Sequence, residues 1–158
     1  MRHYFAVVDD DHDVKDPVTL IRVVEGAGPA GITRLNGDVA WARTELLGQI
    51  ERGEVPYALR EVTAKAALGL RERWARKIPF RYSVLVRDDD PADQPTGVLR
   101  EWDATGSDHV YAEVYTREGR WESSTVRHDI ERSSNIFNRI VPSDSSTVHR
   151  FIESLDRQ

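Results

Sequence analysis

The sequence YFAVVDDDHDVKDPVTLIRVVE, from Tyr4 to Glu25, aligns without a gap with YSVLVRDDDPADQPTGVLREWD, from Tyr82 to Asp103. The alignment places like residues at equal positions, among them Tyr4/Tyr82, Asp10/Asp88, Asp11/Asp89, Pro17/Pro95 and Arg22/Arg100. A second run aligns with a two-residue longer offset, because Trp41, Ile50, Glu51 and Arg52 match Trp121, Ile130, Glu131 and Arg132. The extra length falls in the turn before each Trp, where an insertion costs little. The sequence therefore predicts an internal duplication, with repeats over residues 1–78 and 79–158.

Composition limits the class of protein. A chain of 158 residues with 39% hydrophobic content can bury a proper core. It has no apolar run long enough to cross a bilayer, and its net charge of -5 argues against nonspecific binding to nucleic acid or anionic lipid. The absence of cysteine excludes disulfides and thiolate chemistry, which suits a reducing compartment. We expect a cytoplasmic protein, a monomer or homodimer, with no membrane or nucleic-acid partner.

Hydrophobic periodicity predicts the elements of the first half. Short β-branched and aromatic runs predict strands at Tyr4–Val8, Val18–Val24, Ile32–Leu35 and Tyr57–Val62. The near-continuous apolar run of the second strand implies burial on both faces. Asn36-Gly37 predicts the turn that ends the third strand. Helical spacing predicts a short helix over 42–52 and a longer one that begins at an N-cap, Thr63, carries an apolar stripe that includes Trp74, and ends before Pro79.

The second half repeats this order. Strands are expected at Arg81–Val86, Gly97–Trp102, His109–Thr116 and Phe137–Val141, followed by a helix that Ser143 or Ser145 caps. Each half thus reads as β-β-β-α-β-α with mainly antiparallel pairing, and the fold class is α+β. Because Ile78-Pro79-Phe80 is too short and apolar to be a flexible linker, we expect one compact unit in which the halves pack about a pseudo-two-fold axis, like a fused homodimer. Two independent domains are the alternative.

Two arginines occupy equivalent positions inside apolar strands. Arg22 and Arg100 are each either buried with a carboxylate partner or directed from a strand into a groove. In the second case they could converge with Tyr4 and Tyr82 on a cleft between the halves, which would be the place for an anionic ligand. The first case makes them part of the framework.

The acidic loops are the candidate metal sites. Asp9, Asp11 and Asp13 alternate, and oxygen-rich clusters suit calcium or magnesium. An EF-hand loop starting at Asp9 would need Gly and Glu where Val14 and Leu20 stand. A solvated loop that discourages edge pairing explains the same residues and is preferred, so no metal is assigned.

Three other motifs are better explained without a functional site. Gly26 to Gly31 matches G-x-G-x-x-G, but a strand follows it where a dinucleotide site needs a helix, so no cofactor is expected. A Ser/His/Asp triad could be drawn from His128, Asp129 and the serines at 143–146, yet there is no G-x-S-x-G elbow. The arginines and lysine between Arg71 and Arg81 surround aromatic residues, as in some nucleic-acid sites. Cations at a helix C-terminus explain them more simply.

Several short stretches resemble small actinobacterial α+β proteins that have an internal duplication and no assigned activity. They are Tyr4–Val7, Val98–Asp103, Ala112–Tyr115, Gly119–Trp121 and Phe151–Glu153. The resemblance implies a bacterial cytosolic protein and brings no active-site residues with it.

These observations favour a binding or regulatory module that acts through protein–protein contacts, with a partner of unknown identity. An immunity-type inhibitor whose acidic loops face a basic partner fits this class. The alternative is a small-molecule sensor or enzyme with a ligand cleft between the repeats. The chain presents no convincing catalytic set, which leans away from an enzyme.

Overall fold

A computed structural model describes residues 1–87, 89–91, 95–132 and 138–157. The chain divides into two compact units, Met1–Ile78 and Pro79–Gln158. Each unit contains one five-stranded antiparallel sheet, and the described residues form four α-helices in all. The fold class is α+β, as predicted. No helix within the described ranges is long and apolar enough to cross a membrane.

The first unit is a strand meander followed by two helices. Its elements are β1 (Arg2–Val8), β2 (Thr19–Val24), β3 (Ile32–Leu35), β4 (Trp41–Arg43), α1 (Leu46–Glu51), β5 (Ala58–Val62) and α2 (Ala64–Ala75), with a 3-10 turn over Gly28–Gly31. The strand order is β4-β3-β2-β1-β5, so β1 is paired on both sides.

The second unit has the same order of elements. They are β6 (Arg81–Arg87), β7 (Gly97–Asp103), β8 (Val110–Tyr115), β9 (Trp121–Ser123), α3 (Val126–Glu131), β10 (Asn138–Ser143) and α4 (Ser145–Asp156). The strand order β9-β8-β7-β6-β10 matches that of the first unit, strand for strand. The predicted strand start at Phe137 lies outside the described residues.

Each unit contains a fourth meander strand that the sequence did not predict. Trp41 and Trp121 were expected to lead into helices, but they begin β4 and β9 and lie opposite Leu35 and Tyr115. Three-residue strands are too short to show an alternating pattern. The helices begin only at Leu46 and Val126.

The two long helices have side-chain caps. The Thr63 hydroxyl accepts a hydrogen bond from the Ala66 amide at 3.1 Å, so the predicted cap of α2 is confirmed. The predicted serine cap of α4 is wrong, because Asp144 is the N-cap and its carboxylate accepts from the Thr147 amide at 2.7 Å. An anionic acceptor is well placed at a helix N-terminus, where the partial charge is positive. This bond lowers the pKa of Asp144.

Helices and loops bury the sheets. In the first unit Leu46 of α1 packs with Val7 and Ile21, while Ala6 and Leu20, whose side chains alternate to the opposite face, are also fully buried. The predicted burial of β2 on both faces is therefore confirmed for its first half. In the second unit α4 covers the valines of β6 and β7 with Val148, Phe151 and Ile152.

Candidate functional site

Arg100 lies in a buried aromatic enclosure in the second unit. Its side chain is 1% exposed, and its Nε and Nη2 atoms donate to Glu113 Oε1 at 3.1 and 2.9 Å. The guanidinium carbon lies 4.4 Å from the ring centre of Phe80 and 4.2 Å from that of Trp121. A guanidinium between two rings and bonded to a carboxylate has the contacts that a buried cation needs. These contacts favour a framework role for Arg100.

Arg22 occupies the corresponding position of the first unit in a different environment. It lies opposite Thr33, whereas Arg100 lies opposite Glu113. Its guanidinium carbon is 4.8 Å from the ring centre of Trp41, and the residue is half-buried. The two units therefore place an arginine at one register position near the ring of the equivalent tryptophan, Trp41 or Trp121, with a different residue opposite in the sheet.

The predicted tyrosines lie beside these arginines within each unit. Tyr4 is opposite Arg22 on β1 and β2, and Tyr82 is opposite Arg100 on β6 and β7. Tyr4 is 2% exposed and contacts the ring of Trp41. The cleft between the halves, to which all four residues were assigned, stays a prediction.

The acidic loop of the first unit uses two of its carboxylates in turns. Asp9 accepts from the Asp11 amide at 2.9 Å and contacts His12 Nδ1 at 2.8 Å, and Asp13 accepts from the Lys15 amide at 2.9 Å. The Asp9 hydrogen bond raises the pKa of His12, and the same bond lowers the pKa of Asp9. In the described part of the chain, no group of three or more His, Asp or Glu side chains is arranged to hold a metal ion.

The remaining sequence motifs have local structural roles. Gly28–Gly31 forms a 3-10 turn that leads into β3, so the strand context predicted for this loop is confirmed. His128 and Asp129 lie on α3, where Asp129 accepts from the Thr125 hydroxyl at 3.0 Å. Arg81 of the basic stretch is paired with Asp103 at 3.1 Å.

A groove in the first unit is the strongest candidate site. Its volume is about 490 Å³. It lies where β2 begins and β3 ends, between residues of α1 and the C-terminal end of α2. The described lining residues are Pro17, Val18, Thr19, Arg34, Leu35, Asn36, Gly37, Val39, Leu46, Tyr57, Trp74, Lys77 and Ile78.

One wall of the groove is the β3–β4 turn, which has a strained backbone. Val39 has a φ of 53°, in the left-handed region that β-branched residues avoid. Its carbonyl oxygen accepts from Arg71 Nε at 2.9 Å and Nη2 at 2.7 Å, and Arg71 is 2% exposed. The Asn36 side chain also accepts from the backbone amides of Asp38 and Ala40. The turn conformation is thus fixed by a buried cation and a side-chain clamp, as is typical of residues held in strain at functional sites.

No family model, curated protein or solved structure matches this chain. The site is therefore defined by its own geometry.

The sequence did not indicate the groove. Asn36-Gly37 was correctly identified as a turn, but nothing in the sequence marks the positive φ of Val39. Arg71 was assigned with its neighbours to a basic stretch at a helix C-terminus, whereas it is buried against the turn. Trp74 was placed in the apolar stripe of α2, and it is half-buried at the groove. The sequence signal that could have connected α2 with this turn is the position of Arg71, which stands four residues after Ala67 and three before Trp74 on the apolar side of the helix.

Proposed function

We propose that this protein is a binding module whose first unit holds a small molecule in the groove between α1 and the end of α2. The observation that carries the proposal is the groove itself, with one wall fixed by the Val39 turn and Arg71. Its volume of about 490 Å³ falls in the range of small-molecule sites. A wall whose strain is held before the ligand arrives lowers the ordering cost of binding.

The lining favours binding over catalysis. Most of it is apolar or aromatic, with a few polar groups, which is the usual composition of a ligand pocket. None of the described residues that line it is Asp, Glu or His, the groups that most often transfer protons in enzymes. A sensor or carrier fits this lining better than a hydrolase or transferase.

Fragment binding followed by nuclear magnetic resonance tests the groove. We expect small aromatic fragments at millimolar concentration to shift the resonances of Trp74, Leu46 and Ile78. Gly37→Trp should weaken this binding by about tenfold or more, a factor equal to about 1.4 kcal/mol, because the indole occupies groove volume.

Gly69→Trp is the matched control. A Cβ at either glycine meets nothing within 4 Å, but only Gly37 lines the groove. Equal affinity of the two variants for the fragments would place binding elsewhere, and shifts confined to other residues would have the same meaning.

A second candidate function is a protein contact through the loop from Asp9 to Asp16. Two of the exposed large hydrophobic residues lie in or near this acidic segment, Val14 within it and Val18 two positions after its end. Apolar side chains among carboxylates form a surface that suits a basic protein, which the carboxylates would attract and orient. The proposed function of the loop is recognition of such a partner.

Charge reversal tests this second candidate. Immobilised wild-type protein should retain a basic partner from lysate in stoichiometric amount, and Asp10→Lys should lose it. Asp108→Lys, also at an exposed aspartate, is the control and should retain it. Recovery of the same protein by the Asp10 variant would rule out the acidic loop as its contact.

We also propose that the two units arose by duplication. The same strand order and the equivalent pairings Tyr4–Arg22 and Tyr82–Arg100 support this origin. An alignment of relatives tests this origin. If the sequences of the two units resemble each other no more than those of unrelated domains with the same strand order, the duplication is contradicted.

A further inference from the structure

We infer that the groove of the first unit selects an anionic ligand with a flat apolar body, namely a carboxylate or phosphate ester of an aromatic compound. The inference rests on the groove being a ligand site and adds the chemical class of its ligand. It follows from the charge of the lining, the pairing of its cations and the state of its rings.

The charge of the groove is opposite to that of the whole chain. The chain carries a net charge of -5, yet the charged residues that line the groove are Arg34 and Lys77. None of the described lining residues is acidic. The local charge therefore favours an anion.

Both cations are available for a ligand. Arg34 and Lys77 are exposed, and neither has an ion-pair partner within the described residues. Other arginines have such partners, as Arg52 does with Glu54 at 3.1 Å and Arg127 with Glu101 at 2.7 Å. An arginine fork and a lysine ammonium that line the same groove are both suited to carboxylate or phosphate oxygens.

The rings of the groove are available for stacking. Trp41, Trp102 and Trp121 each contact another aromatic ring. Trp74 and Tyr57, which line the groove, make no ring contact in the described part of the chain. Both are half-buried, so a planar ligand can reach them.

Two of the neutral polar groups of the lining, the Thr19 hydroxyl and the Asn36 side-chain oxygen, are already in use. The Thr19 hydroxyl donates to the Leu35 carbonyl at 2.8 Å, and the Asn36 side-chain oxygen accepts two backbone amides. These bonds hold the framework. Charge is therefore the main polar means by which the groove can select its ligand.

Matched probes test the inference with the full chain. Calorimetric titration compares 2-naphthoate with 2-naphthamide, which has a similar shape and no charge, and adds 2-naphthyl phosphate. We expect the anions to bind at least about tenfold more tightly than the amide, as expected for charge-assisted hydrogen bonds. Tighter binding of 2-naphthoate would indicate a carboxylate ligand, and tighter binding of 2-naphthyl phosphate would indicate a phosphate ester. Both results support the inference.

Variants test whether Arg34 and Lys77 cause the preference for anionic probes. Arg34→Gln and Lys77→Met should each remove most of the advantage of the anions over the amide. Arg76→Gln, an exposed arginine beyond the last residue of α2 that does not line the groove, should bind like wild type. Circular dichroism confirms that each variant is folded.

The two proposals fail in different ways. Equal binding of naphthoate and naphthamide would overturn the anionic class and leave the groove as a ligand site. Absence of binding by all three probes at millimolar concentration, with the resonances of Trp74 and Leu46 unmoved, would overturn both.

Discussion

Glu113→Ala is expected to lower the free energy of unfolding of the second unit by about 3–5 kcal/mol, the range measured when one partner of a buried ion pair is removed. The reason is the state of Arg100, which is 1% exposed and bonds to Glu113 through two nitrogen atoms. Without the Glu113 carboxylate, the guanidinium keeps its aromatic neighbours but loses a counter-charge that it contacts away from water. Urea unfolding followed by circular dichroism measures the change.

A double variant separates the cost of a broken pair from the value of the intact pair. Arg100→Met with Glu113→Leu removes both charges and should recover most of the lost stability, because a buried ion pair is often replaceable by apolar groups of similar volume. Glu153→Ala is the control for an exposed pair, since Glu153 lies 3.7 Å from Arg157 and both are largely exposed. Glu153→Ala should leave the midpoint of urea unfolding unchanged. A urea midpoint for Glu113→Ala as high as that for Glu153→Ala would contradict the framework role of Arg100.

Arg71→Met is expected to lower the free energy of unfolding by about 2–3 kcal/mol, the scale of hydrogen bonds from a charged donor. The variant removes the two bonds to the Val39 carbonyl and the group that holds the φ of 53°. Methionine fills a similar volume, so the change isolates the polar contact from the packing. The same unfolding experiment measures it.

Groove binding should weaken in parallel, because the Val39 turn is one wall of the groove. Arg76→Met is the matched control, as it removes an exposed arginine from the same end of α2. Full stability of Arg71→Met, with unchanged affinity for the aromatic probes, would mean that the turn keeps its conformation without Arg71. In that case the strained wall would not contribute to the site.

The sequence predicted the regular elements because their signals are local. The β-branched and aromatic runs of β1 and β2, the Asn36-Gly37 turn and the Thr63 cap all appear within a few residues. The three-residue strands β4 and β9 were missed because they depend on pairing with β3 and β8, which is a tertiary effect.

The candidate site was the least predictable part. Arg71 and Val39 are 32 positions apart, and their hydrogen bonds exist only in the folded unit. The charge of Arg71 also pointed to solvent, since arginine is rarely buried without a partner. In contrast, the two in-strand arginines were recognised as exceptional from the sequence. A carboxylate partner was one of the alternatives weighed, and Arg100 has it in Glu113.

The tryptophans of this chain are divided evenly, with Trp41 and Trp74 in the first unit and Trp102 and Trp121 in the second. Each unit therefore carries its own intrinsic fluorophores. In a chain with Trp102 and Trp121 replaced by phenylalanine, tryptophan emission comes from Trp41 and Trp74 of the first unit alone, and a change on addition of an aromatic probe would test the proposed occupancy of the groove that Trp74 lines. Replacing Trp41 and Trp74 instead leaves only the emission of the second unit. That emission serves as an optical reference for changes that do not involve the groove.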